Sequence, residues 1–180
     1  MELENTFVVP VGVDRAWAAL NDPERVAPCF PGATLESVQG DSFTGSVKLK
    51  LGPISMIYKG TGTFTERDEA ARRVVIDATG RDSRGGGQAK ARITGTLTPD
   101  GDSTSVHLVT DLAITGKPAQ LGRGMIAEVS NKIVGQFASC LAETLGDAPA
   151  AAGTSTAPAA SGAGGAPAAS GAAPGAAGAA

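Results

Sequence analysis

Few side chains in this chain are suited to covalent or metal chemistry, and their spacing works against it. The single histidine, His107, stands between Val106 and Leu108. In an alternating strand that position faces away from the apolar row, which suits a solvated residue better than a general base. Cys29 and Cys140 lie in unrelated contexts, form no CxxC pair and have no histidine placed to activate them. Two reduced thiols in a cytosolic protein are the expectation, with a structural disulfide as the alternative. No set of His, Cys and acidic residues has metal-ligand spacing. Arg84-Gly85-Gly86-Gly87-Gln88 is glycine-rich, but it lacks the GxxxxGK[ST] pattern and joins two strands, so it reads as a hairpin turn and not a phosphate loop. We therefore expect no catalytic residue, no metal and no covalent cofactor.

The elements around these residues predict something hollow. Leu3 to Val9 reads as a strand ended by Pro10, and Val13 to Leu20 as a short helix with Val13, Trp17 and Leu20 on one face. A second short helix starts at Pro23, and the stiff turn from Pro28 to Ala33 carries Phe30 as a candidate lip. Period-two alternation then takes over, through Phe43–Leu51, Ile54–Phe64, Val74–Ala78, Ala89–Leu97 and Val106–Ile114, with turn clusters between the runs. Short links between successive strands imply an antiparallel meander. Pro118 to Leu145 closes the fold as one long helix, ended at Gly146. Its apolar residues recur every fourth position and, at about 100° per residue, sweep a broad band that a curved sheet must wrap. The row facing that helix is unusually small: Gly45, Gly60, Gly62, Ala78, Ala89, Ala91 and Gly95. Glycines there either relieve a strongly bent sheet or leave a ligand cavity, and the two are compatible.

Composition divides the chain. Residues 1–146 can enclose one core, while 147–180 form an Ala/Gly/Pro-rich tail, without an aromatic or large aliphatic residue, that is expected to be disordered. A net charge of -3 does not resemble a nucleic-acid footprint, which would need a clustered basic surface, and no nucleic-acid partner is expected. The acidic N-terminus lacks the pattern of a signal peptide, and no window approaches the ~20 consecutive apolar residues of a membrane span. Lys48, Lys50, Lys59, Lys90 and Arg92 fall on outward rows, as a solvated face or as a docking face for a partner or anionic lipid.

The order of strand, two short helices, further strands and one long helix is the helix-grip, an α+β arrangement. Together with Arg15-Ala16-Trp17-Ala18-Ala19-Leu20-Asn21-Asp22-Pro23 it resembles the START-like, or SRPBCC, superfamily of ligand-binding domains. More narrowly, Phe30-Pro31-Gly32-Ala33, Gly52-Pro53-Ile54, Gly80-Arg81-Asp82-Ser83-Arg84-Gly85 and Gly116-Lys117-Pro118-Ala119-Gln120-Leu121-Gly122-Arg123-Gly124 resemble, in the family's order, the carbon monoxide dehydrogenase CoxG family. The resemblance implies an accessory protein of the molybdenum-containing carbon monoxide dehydrogenase, cytoplasmic and peripheral at the inner face of the cytoplasmic membrane. Some family members carry an apolar C-terminal anchor; this chain has its Ala/Gly/Pro tail instead, which points to a mobile carrier of a respiratory quinone, menaquinone or ubiquinone. The alternatives are an adaptor that recruits the dehydrogenase to the membrane without a ligand, and a START-like enzyme acting on a hydrophobic substrate.

A quinone needs a dry slot, since burial is worth about 0.8 kcal/mol per methylene. We expect Met56, Tyr58 and Phe64 on the sheet, Met125, Ile126, Val129, Ile133 and Phe137 on the helix, and Phe30 at the lip to line it. Methionines conform to an irregular ligand, and Tyr58 offers a hydrogen bond to a carbonyl oxygen. Gly122, Gly124 and Gly135, costly in a helix, either let it approach the sheet or let its start shift.

Overall fold

A computed structural model describes residues 1–146 of the chain. The tail expected at 147–180 lies outside the described residues. Strand β1 (Glu2–Val9) leads into α1 (Val13–Leu20) and α2 (Pro23–Val26), followed by a 3₁₀ turn at Ala27–Cys29. Asp22 caps α2 by accepting from the Glu24 N–H (3.1 Å), with Pro23 in the first turn where a missing N–H costs nothing. Strands β2 (Ala33–Gln39), β3 (Ser42–Leu51), β4 (Ile54–Asp68), β5 (Arg73–Asp82), β6 (Gln88–Asp100) and β7 (Ser103–Ile114) form an antiparallel meander, and β1 pairs with β7 at its far edge. The seven-stranded order is β1-β7-β6-β5-β4-β3-β2. The sheet curves around α3 (Gly122–Gly146), a helix-grip fold as expected.

Two local expectations are corrected. The α-helix starts at Gly122 and not at Pro118: Lys117–Leu121 is a 3₁₀ turn, and Gly122, at φ 81° and ψ 164°, is the non-helical junction that keeps the turn from running on into the helix. Strand β2 has no counterpart among the period-two runs of the sequence. Its alternation is only seven residues long and is interrupted by a bulge between Leu35 and Ser37, so its period is weak.

One end of the grip is solid. Val9, Val11, Ala16, Ala19, Val106, Leu141 and Leu145 are all at most 4% exposed and pack as one cluster, joined by Phe7, Cys29 and Leu97. Fully buried Thr104 satisfies its hydroxyl by donating to the Val11 carbonyl (2.8 Å). Arg15 donates to the Leu145 carbonyl (3.0 Å), placing a cation where the helix C-terminus is partially negative. Beside this end Cys29 and Cys140 form a disulfide with Cα atoms 5.2 Å apart, which corrects the expectation of reduced thiols. The helix-grip topology explains it: the 3₁₀ turn lies across α3, so two cysteines remote in sequence become neighbours.

Candidate functional site

Beyond the solid end the grip is hollow. A cavity of about 430 Å³ lies between the sheet and a roof made of α2, the Ala27–Cys29 turn, Phe30 and the middle of α3. Its floor follows from strand register. Gly45, Gly60, Gly80 and Ala89 stand side by side across β3, β4, β5 and β6, and Gly62, Ala78 and Ala91 form the next row. All seven line the cavity, as does Gly95. Two of these glycines also answer to backbone demands. A side chain at Gly60 would run into the Thr79 carbonyl, and one at Gly45 into the Thr34 carbonyl. Close strand approach and hollowness thus come from the same residues.

The roof supplies the bulk. Pro23, Val26, Ala27 and Phe30 contribute from one side, Ile133, Val134 and Phe137 from the helix. Phe137 sits at the junction of the two regions, meeting Phe7 edge-on at 5.9 Å and Phe30 at 6.4 Å between ring centroids. The disulfide ties the Phe30 segment to α3 one turn beyond Phe137, and so fastens the roof.

Among the described residues, no charged side chain lines the cavity. Thr34, Thr61 and Thr79 belong to the exposed, alternate positions of their strands, and Ser46 pairs with Thr34 and Lys59 on that same outward row, which leaves Tyr58 as the principal polar side chain within. Its ring is 7% exposed and its hydroxyl donates to the Met56 Sδ at 3.8 Å, a weak partner that a carbonyl oxygen would readily replace. Burial, and then the negative charge of Asp82, push the Tyr58 phenol above its ordinary value, so it is a neutral donor at physiological pH. Asp82 itself is turned inward, its carboxylate accepting from the Ile57 N–H (3.3 Å) and the Gly86 N–H (2.9 Å).

Of the nine residues expected at the site, the structure places Phe30, Tyr58, Phe64, Ile133 and Phe137 on the cavity wall. Met56, Met125, Ile126 and Val129 are not on it. Met56 and Val129 belong to a separate apolar cluster with Leu51, Tyr58, Ile54 and Leu121 that fills the grip at the start of α3. Met125 lies against the Gly52 turn, and Ile126 is buried. A straight helix pattern cannot show that the sheet closes on the first turns of α3 and opens beneath its middle. What the sequence reading missed is the roof contribution of Pro23, Val26 and Ala27, and the signal for it was the short apolar face of α2. The three helix glycines do not serve close approach: Gly122, Gly124 and Gly135 all face open space. His107 is exposed, its ring Nδ1 3.1 Å from the Thr6 hydroxyl, remote from the cavity. Arg84–Gln88 is the β5–β6 turn, as expected.

Three of the four stretches that carry the family resemblance meet at one end of the sheet. The Gly52-Pro53 turn touches Met125, and the Gly86 carbonyl accepts from the Lys117 N–H (3.0 Å). The family profile of the carbon monoxide dehydrogenase CoxG subunit matches residues 6–146. The chain belongs to the CoxG family. A comparison with curated proteins finds no match. Among solved structures, a conserved protein from Geobacillus kaustophilus superposes with a TM-score of 0.73 at 18% identity, covering 81% of this chain and 95% of that one. A START superfamily protein from Mycobacterium smegmatis (TM-score 0.55, 12% identity, 81% and 97% covered) shares the fold. So does the Zhui aromatase/cyclase from Streptomyces sp. R1128 (TM-score 0.59, 13% identity, 81% and 93% covered). At these identities the likeness is one of fold, and the CoxG chain has the START-like architecture. Among the described residues no helix is long and apolar enough to cross a membrane.

Proposed function

We propose that this CoxG protein is a carrier: it holds a lipophilic ligand, a respiratory quinone such as menaquinone or ubiquinone, in its cavity and moves it between the cytoplasmic membrane surface and a molybdenum carbon monoxide dehydrogenase. The observation that supports it most is a chargeless cavity, floored by seven adjacent Gly and Ala side chains, with one buried hydroxyl. At the ~30 Å³ that a water occupies in the liquid, 430 Å³ takes about 14 non-hydrogen atoms. A substituted quinone ring suits that space. In this reading Tyr58 donates to one quinone carbonyl.

The lining favours binding over catalysis. Among the described residues it contains no carboxylate, imidazole or amine to move a proton, and Cys29 is held in a disulfide.

The test is mass spectrometry of an organic extract of the native protein beside that of Phe137→Trp, with titration of both by added menaquinone and ubiquinone. A prenylated quinone present in the first and depleted in the second is the expected outcome. Tyr58→Phe should weaken binding by roughly two- to tenfold, the range of one neutral hydrogen bond. An empty extract with no binding of added quinone would overturn the carrier reading and leave an adaptor that recruits the dehydrogenase.

A further inference from the structure

The cavity does not account for how charge is distributed over this protein. The chain is acidic overall, yet residues 48–59, 80–92 and 113–127 hold nine of its 15 lysines and arginines and only one of its 18 acids, Asp82. The fold gathers these three stretches at one end. Gly60 pairs with Gly80, Gly80 with Ala89 and Ala89 with Ile114, and the turns beyond them meet at the start of α3. Asp82 is 8% exposed and accepts two backbone N–H bonds, so it offers little negative charge to the surface. Lys50, Lys59, Arg81, Arg84, Lys117 and Arg123 are all exposed, and none has an ion-pair partner among the described residues. Among the described residues Arg92, paired with Asp77, is the one of the nine cations that has an ion-pair partner, whereas Arg67, Arg72 and Arg73 elsewhere all pair, with Asp41, Asp14 and Glu66. Lys59 and Arg81 stand directly opposite each other on β4 and β5, a like-charge pairing that destabilises a sheet unless an external anion shares it.

We infer that this end of the molecule docks onto an anionic lipid surface. The inference rests on the carrier reading, which requires the protein to meet a membrane, and it names the face that does so. Composition selects lipid over an acidic protein. Protein interfaces enrich aromatic residues and deplete lysine, whereas the only aromatic residue in the three stretches is buried Tyr58, and five of the nine cations are lysines. A cluster of four to eight cations on one face is the pattern that attracts anionic headgroups. The overall charge separation also orients the protein, since the acidic remainder is repelled by the same surface.

The experiment is co-sedimentation of the full chain with phosphatidylcholine vesicles, with and without about one third phosphatidylglycerol, at low salt and at roughly 0.5 M salt. Binding to the anionic vesicles alone, lost at high salt, is expected. The triple variant Lys50→Glu, Arg84→Glu, Arg123→Glu should lose it by more than about 100-fold, from about fivefold for each charge removed. Arg25→Glu with Lys132→Glu, which changes charge away from this end, should retain most of it, and circular dichroism establishes that both variants fold. Quinone titration of the triple variant should be unchanged, so a failure of docking is distinguished from a failure of the cavity. Equal binding to neutral vesicles, no binding to anionic ones, or an unaffected triple variant would each overturn the inference. If anionic vesicles are ignored while the triple variant loses affinity for purified carbon monoxide dehydrogenase, the surface is a protein-docking one instead.

Discussion

The middle and the C-terminal end of α3 present similar side chains to the same sheet, yet one covers empty space and the other is packed solid. Leu141 and Leu145 are each 1% exposed, against Val9, Val11 and Val106. Ile133, Val134 and Phe137, one to two turns earlier, remain only half-buried over Gly45, Gly60, Gly62, Ala78, Ala89 and Ala91. The helix does not make the difference. It comes from the strand residues opposite, which are branched under one end and reduced to hydrogen or methyl under the middle. A helix-grip domain is made a container by thinning its floor while the far end carries the stability.

The largest test of that division is the fastening between the two regions. The Cys29–Cys140 bond closes a loop with a sequence separation of 111, and in the chain-entropy account such a loop stabilises by about 4 to 5 kcal/mol. Cys29→Ser with Cys140→Ser should therefore lower stability by close to that amount in urea unfolding. It should also speed ligand exchange, because the Phe30 segment of the roof is released. Unchanged exchange would mean that the roof is not the route.

Truncation should separate the regions next. Leu141→Ala removes a side chain packed on every side and should cost about 3 kcal/mol. Ile133→Ala enlarges a space already present, and about 1 kcal/mol or less is expected because its side chain is only partly withdrawn from water. Equal costs would show that the cavity collapses around its contents.

Overfilling sharpens the same contrast with opposite readouts. Ala16 is fully buried at the solid end, so Ala16→Leu should cost about 1 to 3 kcal/mol, or more, by overpacking. Ala91→Leu projects into the hollow, so stability should stay within about 1 kcal/mol while quinone affinity falls. On the helix's outer side, Gly124→Ala and Gly135→Ala meet open space and should each stabilise by about 1 kcal/mol. Those two leave affinity unchanged if the start of α3 is not a gate.

Most of this division was legible in the residues. Period two with small residues at Gly45, Gly60, Gly62, Ala78, Ala89 and Ala91 announced a thin floor, and those side chains are the floor. Which part of the helix lay above it was not legible. Met125, Ile126 and Val129 share the stripe of Ile133 and Phe137, but the Gly122 kink and the Leu51–Met56 cluster close the grip beneath the first turns. The disulfide was hidden for a related reason: pairing depends on where the Ala27–Cys29 turn crosses α3, and no local pattern encodes a crossing. Charge segregation was half visible, since alternation showed the outward lysines of β3, β4 and β6. Only the meander's register shows that Arg81, Arg84, Lys117 and Arg123 join them at one end.

The smallest expected effect concerns the one hydroxyl inside the hollow. Burial and the charge of Asp82 hold the Tyr58 proton more tightly in the folded protein than in the unfolded chain, where a phenol titrates near its ordinary value of 10.0. Below that value the phenol is neutral in both states and contributes no pH dependence. Above it the unfolded chain releases its proton first, the folded state binds more protons, and stability falls as pH rises. Tyr58→Phe should remove that alkaline decline while leaving the urea midpoint at neutral pH nearly unchanged, because the Met56 sulfur is a weak partner. If the decline persists in the variant, the Tyr58 phenol is not its source. Tyr58 would then be wetter than the rest of the floor, and the contrast between a dry hollow and a solid end would have to be redrawn at that residue.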